Sequence, residues 1–162
     1  MTMERLRFDG WDIVLQEIPD EISLVLNITE CPHHCVGCHS SYLAESYGDY
    51  VGDELPELLQ KYADLVSCVC FMGGDQHPED LHNQCRYIKD HFPDLKIALY
   101  TGSDTDDALS GCVDMLDYLK LGHYDARRGG LDQETTNQVM LKKRSMGEWE
   151  DITKRFWGRR GD

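Results

Sequence analysis

Three cysteines fall within eight residues in Cys31-Pro-His-His-Cys35-Val-Gly-Cys38. On a looped backbone, side chains at these spacings can converge on one metal centre. Two chemistries compete for such a donor set. Three thiolates can hold three irons of a cubic cluster that ordinarily takes four cysteines, which leaves one iron open to a substrate or cofactor. Alternatively, an imidazole from His33, His34 or His39 closes a tetrahedral zinc site of the kind that stabilises interaction modules. Spacing alone leaves both open.

The elements around the cysteines narrow the choice. Four apolar, β-branched runs read as strands: Ile22 to Thr29, Val66 to Phe71, Lys96 to Tyr100 and Tyr118 to Leu121. An earlier run, Trp11 to Gln16, can pair beside the first. Between them, Glu54 to Asp64 carries Leu55, Leu58, Leu59 and Tyr62 on one helical face, with Asp53 as its expected N-cap. Pro78 to Phe92 repeats Leu81, Cys85, Ile88 and Phe92 at helical spacing, and Pro78 suits the first helical position. A shorter helix is expected within Thr105 to Met115. This alternation predicts an α/β fold with parallel strands and right-handed crossovers. The strands are too few to close an eight-stranded barrel, so a partial (β/α) barrel or open sheet is expected. One domain over residues 1–144 is followed by a tail over 145–162. There Ser145 and Glu148 have capping-box spacing, and Trp149, Ile152 and Phe156 form an apolar stripe. A short amphipathic helix is the expectation.

The cysteine loop follows the end of the first strand. The second strand runs into Phe71-Met72-Gly73-Gly74-Asp75, the third into Tyr100-Thr101-Gly102-Ser103, the fourth into Leu121-Gly122-His123. Each segment alone is an ordinary turn. Together they surround the C-terminal edge of a parallel sheet, where α/β folds bind ligands. A structural zinc knob needs none of them, so the arrangement favours a catalytic cluster.

Composition bounds the partners. The 162 residues carry a formal net charge of −14, which argues against nucleic acid. From Lys142 onward the chain has seven basic and four acidic residues, against nine and twenty-six before it. No apolar run suits a membrane span and no secretory signal is evident, so a cytoplasmic protein is expected. There, seven cysteines serve as reduced thiols rather than as a disulfide framework. Cys68, Cys70 and Cys85 read as core residues. Lys120 is expected to be solvated.

On these residues the chain resembles the radical S-adenosylmethionine superfamily, whose motif is CxxxCxxC followed by a Gly-Gly-Glu-like segment. More narrowly it is similar to the activating proteins of anaerobic (class III) ribonucleoside-triphosphate reductase. That similarity runs from about Glu17 to Leu141 and includes Gly129-Gly130-Leu131-Asp132 and Thr135-Thr136-Asn137-Gln138. The chain departs from the superfamily at Gly37, where many members have an aromatic, and at Asp75, where Glu is usual. The resemblance implies a 4Fe–4S cluster on Cys31, Cys35 and Cys38 and S-adenosyl-L-methionine on its open iron. It further implies that Gly73, Gly74 and Asp75 line the methionine end, that Gly37 and His39 lie near the adenine, and that Thr101 contributes at the mouth. One electron, from a donor such as flavodoxin or ferredoxin, would release a 5′-deoxyadenosyl radical that takes a hydrogen from a glycine of the reductase. Activation of another glycyl-radical enzyme, such as a formate-lyase, is the near alternative. A non-catalytic zinc module is the distant one.

Overall fold

A computed structural model describes residues 5–15, 17–29, 48–74, 76–105, 109, 112–144 and 147–157. Four strands form the centre: β2 (Ile22–Ile28), β4 (Cys68–Met72), β5 (Lys96–Tyr100) and β6 (Tyr118–Leu121). They pair in parallel, in the order β2-β4-β5-β6. Strands buried on both faces read as unbroken apolar runs, which is why these four were visible as such. Val66 and Ser67 precede β4 instead of opening it, and the strand extends to Met72.

Antiparallel strands extend the sheet on both sides. β1 (Arg7–Leu15) lies against β2, with a register shift between Phe8 and Trp11, and β3 (Asp49–Tyr50) lies outside it. On the other side follow β7 (Val139–Lys143) and β8 (Trp149–Asp151). The eight strands among the described residues make one open sheet of a mixed α/β fold, a partial barrel that does not close.

The two α-helices among the described residues are α1 (Val51–Tyr62) and α2 (Pro78–His91). Their apolar faces, Leu55, Leu58 and Leu59 with Leu81, Cys85 and Ile88, cover Leu24, Leu26, Val69, Phe71, Ile97, Leu99 and Leu119 on one side of the sheet. Pro78 opens α2 as expected. Asp53, however, is not the N-cap of α1. The helix starts a turn earlier, because the Val51 N–H donates to the Leu6 carbonyl and its side chain is fully buried. Asp53 instead pairs with Arg5 at 2.6 Å. Of the segment from Thr105, the described residues give a 3-10 turn over Val113–Met115.

The other side of the sheet holds Val25, Cys68, Cys70, Ala98, Tyr118 and Met140, covered by Ile18, Ile152 and Phe156. The C-terminal stretch therefore packs on the body, but not as the expected helix. Gly147, at φ +80, turns the chain back on itself, and Arg144 and Glu148 close the turn through the Arg144 N–H and the Glu148 carbonyl. Trp149 to Asp151 then satisfy the free edge of β7, which a helix would have left exposed. A 3-10 turn over Thr153–Phe156 follows. Ser145, half of the expected capping box, lies outside the described residues.

Candidate functional site

The two ends of the parallel strands differ in chemistry. At their N-terminal starts a single carboxylate gathers all four. Glu21, 4 % exposed just before β2, accepts from Ser67 ahead of β4, Lys96 opening β5 and Tyr118 opening β6, each at 2.7 Å. Burial pushes the Glu21 carboxyl up, but the Lys96, Ser67 and Tyr118 donors outweigh it and hold it below its ordinary value. Burial and this carboxylate drive the Tyr118 phenol far above its own. This end is tied together by the one carboxylate and reads as structural.

The C-terminal ends form the mouth. β4 leaves its ladder through Gly73 and Gly74, at φ +110 and +130. L-side chains rarely adopt such angles, so both positions require glycine. The Gly73 N–H still donates to the Tyr100 carbonyl at 2.8 Å, which seats the turn on β5. Thr101 is 1 % exposed; its N–H donates to the Lys120 carbonyl and its hydroxyl accepts from the Ser103 N–H, both at 3.0 Å. It anchors the turn after β5. Beyond β6, Gly122 at φ +110 lies against Gln138, and Asn137 donates to the His123 carbonyl at 3.2 Å. The segment Gly129 to Gln138 is thereby folded back onto the β6 end. A cleft of about 380 Å³ opens there, lined among others by Asp104, His123, Asp125, Arg128 and Asn137. His123 and Asp104 face each other across 3.0 Å.

Sequence reasoning missed one feature of the mouth. Asn27, Met72, Tyr100 and Lys120 occupy one register row across the four parallel strands. By strand alternation they share the face opposite α1 and α2, above a row of Val25, Cys70, Ala98 and Tyr118. Lys120 is not solvated, as expected from the sequence, but 8 % exposed, with Nζ donating to the carbonyls of Thr101 and Gly122 at 3.1 and 2.7 Å. Only the register brings these four together, so no local motif announces them.

Cys31, Cys35, Cys38, Gly37, His39 and Asp75 lie outside the described residues. The root of their loop is described. Thr29, fully buried, follows the last residue of β2 and lies beside the Gly-Gly turn. The other four cysteines are buried in the core: Cys68 and Cys70 on the face opposite α1 and α2 and Cys85 beneath the helices, as expected, and Cys112, for which the sequence carried no expectation, beside Cys85. Burial, then Glu21, pushes the Cys68 thiol up to about 12, and burial raises Cys70 well above its usual value. Among the described residues no group of three or more His, Cys, Asp or Glu could hold a metal. The donor set of the loop fits an iron–sulfur cluster with three cysteine ligands, since the remaining thiols are committed to the core. No helix among the described residues is long and apolar enough to cross a membrane.

Comparison with known proteins places the chain in a family. No curated protein and no solved structure matches the chain significantly. A family model does: residues 22–140 match the 4Fe-4S single cluster domain, which covers β2 through the start of β7 and includes the cysteine loop, the Gly-Gly turn and the β6 cleft. Domains of this kind are typical of radical S-adenosylmethionine activases. With most of its length inside the match, this chain belongs to the 4Fe-4S single cluster domain family.

Proposed function

We propose that the chain is a radical S-adenosylmethionine activase that generates the glycyl radical on an anaerobic ribonucleoside-triphosphate reductase. The observation that carries this reading is the pairing of a three-cysteine loop, rooted at the end of β2, with the left-handed Gly73-Gly74 turn on the neighbouring strand. When bound, the cluster and cofactor supply one-electron cleavage of a sulfonium and a carbon-centred radical that takes a hydrogen atom from a glycine.

The chain's own residues hold and orient. Cys31, Cys35 and Cys38 ligate the cluster and leave one metal corner to the cofactor. Gly73 and Gly74 bring backbone close to the methionine end, with Asp75 beside them, and Gly37 and His39 serve the adenine side. The row Asn27, Met72, Tyr100 and Lys120 forms the floor of the mouth, and the Lys120 ammonium holds the Thr101 and Gly122 carbonyls at its edge. The cleft beside β6 leaves room for a segment of the protein substrate, whose docking excludes water from the reacting atoms. An electron donor such as flavodoxin or ferredoxin completes the system.

The test is direct. Reduced, reconstituted protein is mixed anaerobically with S-adenosylmethionine and an anaerobic reductase, and electron paramagnetic resonance is recorded. A glycyl-radical doublet supports the reading. A doublet on a formate-lyase and none on the reductase moves the assignment to the other class of partner.

A further inference from the structure

We propose that Gln76 is a positioning residue: its side-chain amide bridges the strand end from which the cysteine loop departs and the Gly73-Gly74 turn, and so sets the spacing between the metal-bearing loop and the cofactor's methionine end. The inference rests on the S-adenosylmethionine reading above.

Gln76 uses both ends of one planar amide. Its Nε2 donates to the carbonyl of Thr29 at 2.7 Å, and its Oε1 accepts from the N–H of Gly74 at 3.2 Å. The opposite amide orientation would set oxygen against carbonyl and N–H against N–H, so the network itself assigns the orientation. The β2–β4 ladder ends at the pair Asn27 and Met72. Two residues further along each strand stand Thr29 and Gly74, and the Gln76 amide carries the connection there. Each end is held on its far side as well: the Thr29 N–H donates to Arg7 of β1 at 2.9 Å, and the Gly73 N–H to Tyr100 of β5 at 2.8 Å. Gln76 thus closes a continuous chain of bonds across the mouth, from β1 to β5.

Reactions between positioned partners are steeply sensitive to placement, and an ~1 Å error costs about a hundredfold in rate. The cysteines come from one side of the bridge and the Gly-Gly turn from the other. Loosening it leaves the cluster ligands intact but lets the two halves of the cofactor site drift. Cofactor affinity falls, and iron content does not.

Two variants separate this from a general structural role. Gln76→Met keeps the length and removes both bonds. Gln76→Glu keeps the acceptor for Gly74 and turns a carboxylate oxygen on the Thr29 carbonyl; protonation of that carboxyl restores a donor. Iron per chain, S-adenosylmethionine affinity by equilibrium dialysis, and hydrogen exchange at the Gly74 amide are measured on the reconstituted full chain. Gln76→Met is expected to retain iron, to bind the cofactor about tenfold more weakly and to exchange the Gly74 amide about tenfold faster. Gln76→Glu is expected to match it at pH 8 and to recover toward wild type as the pH falls. Wild-type affinity and protection in Gln76→Met would overturn the proposal, as would loss of its iron, which would make Gln76 a support of the loop alone. A wild-type chain that binds iron but no S-adenosylmethionine would overturn the cofactor reading and this proposal with it; Gly74 exchange in the same samples shows whether the bridge itself exists.

Discussion

The ammonium of Lys120 donates to the carbonyl oxygen of Thr101 at 3.1 Å, which joins the end of β6 to the turn after β5 inside the mouth. A second bond from the same Nζ, 2.7 Å to Gly122, fixes where the β6 turn begins. One buried cation thereby organises two of the four strand ends around the candidate site.

Lys120→Met removes both bonds while keeping an unbranched side chain. Gly122 retains the Gln138 Nε2 donor at 3.3 Å, so the Thr101 carbonyl bears most of the loss. The variant is expected to lose about 1–3 kcal/mol of stability, the cost of an unsatisfied buried acceptor. Urea denaturation measures it. An unchanged midpoint would show that the bonds are replaced at no cost.

Gly122→Ala tests the β6 turn. A Cβ there would stand 3.0 Å from the Gln138 Cα and 3.2 Å from the Asn137 carbonyl oxygen, at φ +110. Both contacts are with backbone atoms, which cannot swing aside. A loss of about 1–3 kcal/mol is expected from the strained angle alone. Gly10→Ala, at φ +78 with nothing within 4 Å, serves as control and is expected to lose less.

Glu21 predicts the acid limb of the stability curve. Its carboxyl ordinarily titrates at 4.5 and is held lower in the folded chain, where Lys96, Ser67 and Tyr118 donors prevail over burial. As the pH falls, the unfolded chain takes up this proton first. The contribution is therefore complete well above pH 4.5 and declines below it, through the folded value. Glu21→Gln is expected to be less stable at pH 7 by about 1.5–3 kcal/mol, the range for hydrogen bonds to a charged group. The difference from wild type should shrink below pH 4.5. Denaturation midpoints from pH 3 to 8 check the sign; a gap that stays constant would contradict it.

The four parallel strands were legible because burial on both faces demands continuous apolar residues. Of the strands at the rim, β1 was legible in part, in the run from Trp11 that pairs beside β2 as expected; the others were not. Val139 to Lys143 and Trp149 to Asp151 carry Lys142, Lys143, Glu150 and Asp151, and only pairing with a neighbour makes them strands. The stripe of Trp149, Ile152 and Phe156 marked burial at Ile152 and Phe156, with Trp149 partly buried against the other face, but was a misleading sign of helix, since Gly147 sets a hairpin in its path. At the site, glycines and Thr101 at strand ends were legible from local sequence. The row from Asn27 to Lys120 and the Glu21 junction were not, because each is assembled by register from residues far apart in the chain.

The central claim is that Cys31, Cys35 and Cys38 hold a cluster with one corner open to S-adenosylmethionine. Electron paramagnetic resonance of the reconstituted, dithionite-reduced protein, recorded with and without the cofactor, tests it most directly. A reduced 4Fe–4S signal that changes shape when S-adenosylmethionine is added is expected, as is its loss in Cys35→Ala. A colourless protein holding one zinc, or a cluster signal indifferent to the cofactor, would contradict it.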